Sequence, residues 1–226
     1  MEIITSSPLF GLFLSFICFG IGTVLFNKFK TPLLNPLLFA VIGCIAFIQT
    51  GFISYDKYMN DTAILANLLP AATALLAVNI YKQIKIVKKY AVAIIVSCLA
   101  GSITSIACVI TLCKLFGVDK AVEASFIGKS CTTPIALDIS LMNGGMAGIT
   151  VITVICTGIV GAVLAPSLAK LFKVNSPVAE GIAIGTCSHV VGTTKAVEIG
   201  DIQAALSGVA IGICGLITVI LTSIFY

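Results

Sequence analysis

The sequence predicts an all-α integral membrane protein, and three observations carry that prediction. Of 226 residues, 59% are hydrophobic and only 10% charged, where a soluble domain carries about a quarter charged residues. The mean hydropathy is +1.17. Apolar runs of bilayer length recur along the chain; a span needs ~20 mainly apolar residues, which leaves room for about six full transmembrane helices and two broken segments. The whole of 1–226 is expected to form one polytopic membrane domain.

Residues 8–27 form the first expected span, ending at Lys28 and Lys30. The chain starts Met-Glu with no basic segment and no small-residue cleavage site after the apolar run, so a removable signal peptide is not expected. Residues 33–54 form the second span. The stretch Tyr55 to Asp61, with Asp56, Lys57 and two tyrosines, suits a turn at headgroup level. Residues 62–81, with Pro70, run as a third span into Lys82, Lys85, Lys88 and Lys89, the densest basic cluster. Lysine near span ends marks the cytoplasmic side. That rule puts the Lys82–Lys89 loop in the cytoplasm and the N-terminus outside, with residues 90–113 returning as a fourth span. The net charge of +4 therefore reports topology, and no nucleic-acid partner is implied.

Two later stretches, 120–142 and 177–202, are apolar enough to enter the membrane but broken by Gly, Pro, Ser, Thr and charge. If both cross fully, Lys170 and Lys173 end outside; if both are re-entrant hairpins, those lysines become cytoplasmic. The charge bias favours hairpins, entered from opposite sides and each followed by a span, at 145–169 and at 203–225. That is the pattern of an inverted repeat. Paired interrupted segments in corresponding positions point to a transporter binding site, because non-helical backbone within hydrocarbon must be buried in protein or line a polar cavity.

The first break reads Lys129-Ser130-Cys131-Thr132-Thr133-Pro134. Proline suits the first turn of a helix, where its missing N–H is not needed. The helix start that follows offers free N–H groups and a partial positive charge, an anion site to which Lys129 adds. The plainer reading is that the hydroxyls cap the helix and Lys129 snorkels to the interface. Asp138, four residues on, is a carboxylate in an apolar run and asks for a partner, Lys129 or Lys195; a structural pairing and a role in handling protons or substrate both fit it.

The second break, Gly185 to Lys195, holds the only histidine, His189. An imidazole takes up a proton near neutral pH, which suits proton coupling, although a lone histidine also serves as a structural hydrogen bonder. Gly185 and Gly192 let the backbone break, and Thr186, Ser188, Thr193 and Thr194 supply hydroxyls for freed peptide groups or a ligand. Lys195 and Glu198 stand three apart and can pair on one helical face. The pairs Gly144 and Gly148, Gly181 and Gly185, and Gly208 and Gly212 have helix-packing spacing; they also suit a homo-oligomer. Nine cysteines, mostly within apolar runs, lack the spacing of a metal or disulfide framework. No enzyme signature is present and one histidine cannot build a multi-histidine metal site, so neither catalysis nor a cofactor is expected.

Lys129-Ser130-Cys131-Thr132-Thr133-Pro134-Ile135-Ala136, followed by Gly185-Thr186-Cys187-Ser188-His189-Val190-Val191-Gly192-Thr193-Thr194-Lys195-Ala196, resembles the LrgB/CidB family of bacterial inner-membrane proteins over essentially the whole chain. Thr31-Pro32-Leu33-Leu34-Asn35-Pro36 looks like the family's early Asn-Pro segment. One stretch departs, Leu68 to Tyr81, where Pro70 is displaced by one position and Asn79 replaces a second proline.

The resemblance implies one of two functions. One is holin- or antiholin-like control of murein hydrolase activity and cell lysis with a small LrgA/CidA-type membrane partner. The other, through similarity to the plastidial glycolate/glycerate translocator and bacterial pyruvate-uptake proteins, is transport of small monocarboxylates. The residues favour transport by alternating access. The carboxylate would lie between Lys129, Ser130, Thr132 and Thr133 on one side and Ser188, Thr193 and Thr194 on the other. His189 would bind substrate or carry a proton, with Asp138 and Lys195 balancing charge.

Overall fold

In the computed structural model, residues 7–29, 36–68, 71, 74, 78, 81, 82 and 84–226 are described. The Thr31–Asn35 part of the Asn-Pro segment, and most of the 69–80 stretch with Pro70 and Asn79, lie outside them. Every regular element among the described residues is helical: α1 Phe10–Phe29, α2 Pro36–Gln49, α3 Tyr55–Asn67, α4 Ile84–Leu115, α5 Lys120–Ile127, α6 Thr133–Met142, α7 Ala147–Leu171, α8 Pro177–Ile199 and α9 Asp201–Phe225. Four of them, α1, α4, α7 and α9, are long and apolar enough to cross a membrane, and side chains such as Phe13, Val92, Ile152 and Leu216 point outward from them. An apolar exterior with small and polar residues inside is what lipid as solvent selects. The chain is an all-α membrane protein.

Contacts group the chain into two compact units, Met1–Ala72 and Thr73–Tyr226. In the first, Leu14, Cys18 and Cys44 form a small core between α1 and α2. The segment Tyr55 to Asp61, read from sequence as a turn, is instead the start of α3: the Ser54 hydroxyl accepts from the Lys57 N–H at 3.3 Å, an N-terminal cap. Asp61, one turn on, is buried, accepts from the Gly11 N–H in the first turn of α1 at 3.0 Å and pairs with Lys57 at 3.0 Å. A carboxylate at a helix N-terminus satisfies free N–H groups and the positive end of the dipole, so composition that reads as a solvated turn here serves a helix joint.

The second unit is built on two hairpins. α5 and α6 run antiparallel: a Cβ on Gly128 would lie 2.8 Å from the Ala136 Cα, and at the base Ser125 Oγ accepts from the Met146 N–H at 2.7 Å. α8 is not one straight rod. At His189 the backbone takes φ 40 and ψ −138, and the helix folds back on itself. A Cβ on Gly192 would come within 3.1 Å of the Ile184 Cγ2, whereas eight residues of straight helix separate groups by about 12 Å along the axis. Ser207 of α9 touches both legs, meeting Gly185 of the first through its backbone and Thr193 of the second through its hydroxyl, at 2.6 Å.

The long helices tie the hairpins base to tip. α7 leaves the base of the α5–α6 hairpin, where Thr150 Oγ1 donates to Ser140 Oγ at 2.7 Å. It passes the His189 tip at Val154 and Gly158 and ends near the base of α8. α9 starts at that base, where Gln203 Nε2 donates to Glu180 Oε2 at 2.9 Å. It finishes at the base of α5, where the Tyr226 hydroxyl donates to buried Glu123 Oε1 at 3.1 Å. The two tips therefore point toward each other from opposite ends of α7 and α9.

Two apolar clusters flank the tips. Ile94, Ile182, Leu206 and Val209 pack at the α8 end; Ile106, Val109, Cys113, Ile127 and Ile139 pack at the α5 end. α4 runs through both. Of the glycines at packing spacing, Gly181 and Gly185 bring the first leg of α8 against the backbone of α9, a Cβ on either falling 2.8 Å from the Cα of Gln203 or Ser207, while Gly148 and Gly208 face open space. Gly185→Val would force these backbones apart. Overpacking of this kind costs typically ~1–3 kcal/mol, so the purified variant should melt at a clearly lower temperature in detergent, and Gly208→Val should not.

Candidate anion-binding site

The tip of the first hairpin is the turn 128–132. Thr132 stands at the N-cap position of α6, with φ −66 and ψ 150, and Pro134 occupies the first turn. The cap reading fails in detail, because the Thr132 side chain makes no capping bond. Its hydroxyl is the one buried side-chain oxygen or nitrogen among the described residues with no hydrogen-bond partner. An unpartnered buried hydroxyl costs roughly 1–3 kcal/mol, and each such group calls for an explanation. In the same turn, Lys129 Nζ is 3.4 Å from Ser105 Oγ of α4, and Ser105 Oγ bonds with Ser130 Oγ at 2.8 Å. Lys129 is half-buried and forms no ion pair among the described residues. Thr133 opens the helix and is half-buried. The turn thus gathers an uncompensated ammonium, hydroxyls and the N-terminus of α6, all of which favour negative charge.

The tip of the second hairpin is His189, whose side chain is buried with Nε2 2.9 Å from the Val154 carbonyl of α7. A carbonyl only accepts, so Nε2 donates and Nδ1 carries the lone pair. Gly158 makes the space: a Cβ there would stand 2.6 Å from the His189 Cε1. Ser188 is buried against Gly161, one turn further along α7. The second leg begins after His189, so its N-terminus also lies at the tip.

A polar layer on α4 and α9 joins the two tips. Cys214 Sγ bonds with Ser102 Oγ at 3.2 Å and donates to the Thr186 carbonyl at 3.6 Å; Thr218 Oγ1 donates to Ser102 Oγ at 3.2 Å. Cys131 of the first tip faces Cys214. Thr186 is one of the hydroxyls the second break offers, but Ser102, Ser105 and Thr218 are not evident from the sequence as partners. A small hydroxyl inside an apolar run was the only signal, and it has many innocent uses in membrane helices.

Other candidates fall away from the tips. Thr193 bonds to Ser207 in the second leg, holding that leg to α9. Thr194 is exposed, its hydroxyl donating to its own helix at the Val191 carbonyl. Lys195 pairs with Glu198 at 2.7 Å, as their spacing predicts. Asp138 is exposed on α6 and pairs with neither Lys129 nor Lys195, because the turn of α6 that buries Ala136 and Ile139 aims residue 138 outward.

A buried polar layer between helical hairpins, within helices that are apolar outside, defines a polytopic membrane protein. The chain belongs to the LrgB-like family, whose model matches residues 15–226. It is 38% identical over 222 residues, covering 98% of this chain and 96% of the relative, to the antiholin-like protein LrgB of Bacillus subtilis (strain 168). With the antiholin-like LrgB proteins of Bacillus mycoides (strain KBAB4) and Bacillus cereus (strain B4264) it shares 35% identity over the same span. No solved structure matches it.

The backbone at residue 189 gives a test of the tip. A φ of 40 favours glycine over any side chain, so His189→Ala loses the Val154 bond and keeps the strain, while His189→Gly loses the bond and relieves it. His189→Gly should be the more stable variant by about 1 kcal/mol, read as a higher melting temperature in detergent; equal melting would contradict this backbone.

Proposed function

We propose that this chain carries small monocarboxylates of the pyruvate, lactate, glycolate or glycerate type across a bacterial inner membrane by alternating access. The observation that carries the reading is the Thr132 hydroxyl, buried and unpartnered at the N-terminus of α6, in a turn that also holds Lys129, an ammonium with no counter-charge among the described residues. A carboxylate supplies what both lack: two acceptor oxygens and one negative charge. The helix starts at the tips add donors. His189 Nδ1 is the group that would bind substrate or take a coupled proton.

In this reading the α5–α6 and α8 hairpins enter the bilayer from opposite faces, each with its following long helix forming one half of an inverted repeat. Their broken backbone is tolerable because it lies in protein around a polar site. The positive-inside rule then places the Lys82–Lys89 segment in the cytoplasm and the N-terminus outside.

A second reading rests on kinship. The relatives named above are described as antiholin-like, and that supports a regulator of murein hydrolase activity and lysis, acting with a small LrgA/CidA-type partner, more directly than their names support any solute. A homo-oligomer fits either reading.

Reconstitution in liposomes separates them. Transport predicts saturable uptake of labelled pyruvate or glycolate, reduced at least tenfold in Lys129→Ala, the effect of losing a charge-assisted contact of roughly 1.5–3 kcal/mol. Thr132→Val, which keeps the shape and removes the hydroxyl, should raise KM with little loss of folding stability. No uptake, with or without the small partner, favours the regulator, and leakage of unrelated dyes favours a holin.

A further inference from the structure

Along the C-terminal half of α7 lies a groove that the protein's own side chains do not fill. Gly161, Ala165 and Ala169 form its α7 wall, and Ala179, Ala183 and Cys187 its α8 wall. Each set advances four residues at a time, about one turn, so each makes a stripe of small side chains along its helix. On another face of the same leg of α8, Gly181 and Gly185 close against the α9 backbone. Toward α7 the small residues instead leave about 350 Å³ open. Leu168, Phe172, Ala183 and Cys187 are exposed along it, so the groove opens sideways. α7 is long and apolar enough to cross a membrane, and the open side of such a helix faces lipid tails.

The two ends of the groove differ in chemistry. At the inner end lies Ser188, buried next to the His189 tip. At the outer end a second cavity of about 530 Å³ is lined by Lys170, Lys173, Asn175 and Glu180, and Ala169, Val174 and Glu180 border both. Neither lysine is in an ion pair among the described residues, and Glu180 Oε2 is engaged by the Gln203 amide at 2.9 Å. Two ammoniums against one carboxylate leave this end positive.

The length of the groove matches one leaflet. Nine residues of helix separate Gly161 from Lys170 and rise about 14 Å, close to half of the ~30 Å hydrocarbon thickness. Lys170 stands in the last turn of α7, where a spanning helix reaches headgroup level, so Gly161 falls near mid-depth. A helix is about 10 Å across and would lie over this groove, whereas a single acyl chain lies within it. An inorganic anion would meet the lysines and leave the apolar length empty.

We propose that this groove binds one anionic phospholipid, its phosphate at Lys170 and Lys173 and one acyl chain running between α7 and α8 to Cys187 and Ser188. Lysines at headgroup level attract anionic lipid, and the chain restores the dispersion contacts that an unfilled groove forfeits along its lining. The lipid then braces the first leg of α8 against α7 beside the His189 tip. This goes beyond the transport reading and holds for a transporter and a lysis regulator alike.

Cys187 reports on the chain rather than the headgroup, because it lines the inner end, a leaflet's depth from the lysines. In delipidated full-length protein with the other exposed cysteines replaced (Cys108→Ser, Cys156→Ser), the rate of Cys187 alkylation by N-ethylmaleimide is measured as lipid is added. Dioleoyl-phosphatidylglycerol should slow it, with half-protection at roughly tenfold lower concentration than dioleoyl-phosphatidylcholine, the scale of two lysines acting on an anionic headgroup. Lys170→Gln combined with Lys173→Asn should abolish that difference; asparagine suits the φ of 52 at residue 173. Dihexanoyl-phosphatidylglycerol and inorganic phosphate should leave the rate unchanged, the one too short to reach Cys187 and the other without a chain.

Equal protection by the two dioleoyl lipids, or none by either, overturns the site, as does a preference for phosphatidylglycerol that survives in the lysine variant. Protection by inorganic phosphate would replace it with a plain anion site. Slowing that follows protein concentration in the absence of lipid would put a second copy of the chain over the groove. Should the lysine variant not fold, the headgroup and chain-length comparisons with both lysines intact decide.

Discussion

The hydrogen bond from His189 Nε2 to the Val154 carbonyl, 2.9 Å long and buried, is the contact on which the second unit depends. A helix that turns back inside an apolar body frees peptide groups and must hold its tip against something rigid. Here the rigid body is α7, notched by Gly158 and Gly161 so that the imidazole and Ser188 can reach its backbone. With the tip fixed, the two legs of α8 fall either side of Ser207 and α9 is placed. Remove the notch and neither the fold-back nor the line of contacts to Cys214 survives.

The interior built around that contact is layered. Aliphatic clusters at the α8 and α5 ends supply dense packing. Between them, Ser102, Thr186, Cys214 and Thr218 form a seam of small hydrogen-bonding side chains at the level of both tips. Lipid gives helices no hydrophobic reason to associate, so close approach and hydrogen bonds carry the association. The seam ties the tips to α4 and α9. One hydroxyl in that region, on Thr132, is left without a partner among the described residues.

Kinship and geometry speak to different levels. Membership of the LrgB-like family, matched over residues 15–226, accounts for the architecture as a whole and carries with it the antiholin-like description of its relatives. The tips show which buried polar groups pair with one another and which one does not.

The sequence by itself determined the class, the family and the places where the helices break, because hydropathy, proline and glycine act locally and are legible residue by residue. It located the breaks as the stretches Lys129 to Pro134 and Gly185 to Lys195, with Gly185 and Gly192 as the expected hinges where the backbone in fact turns at His189, and it gave the pairing of Lys195 with Glu198. What only the tertiary structure decided is which of those groups remain unsatisfied and what they face. His189 finds its acceptor 35 residues away and Ser102 meets Cys214 across 112. Asp138 and Thr194 face outward, and Glu180, unremarkable in sequence, meets Gln203 of α9. A hydrogen bond or a cavity needs two chain segments at fixed distance, and no local pattern encodes where the second segment will be.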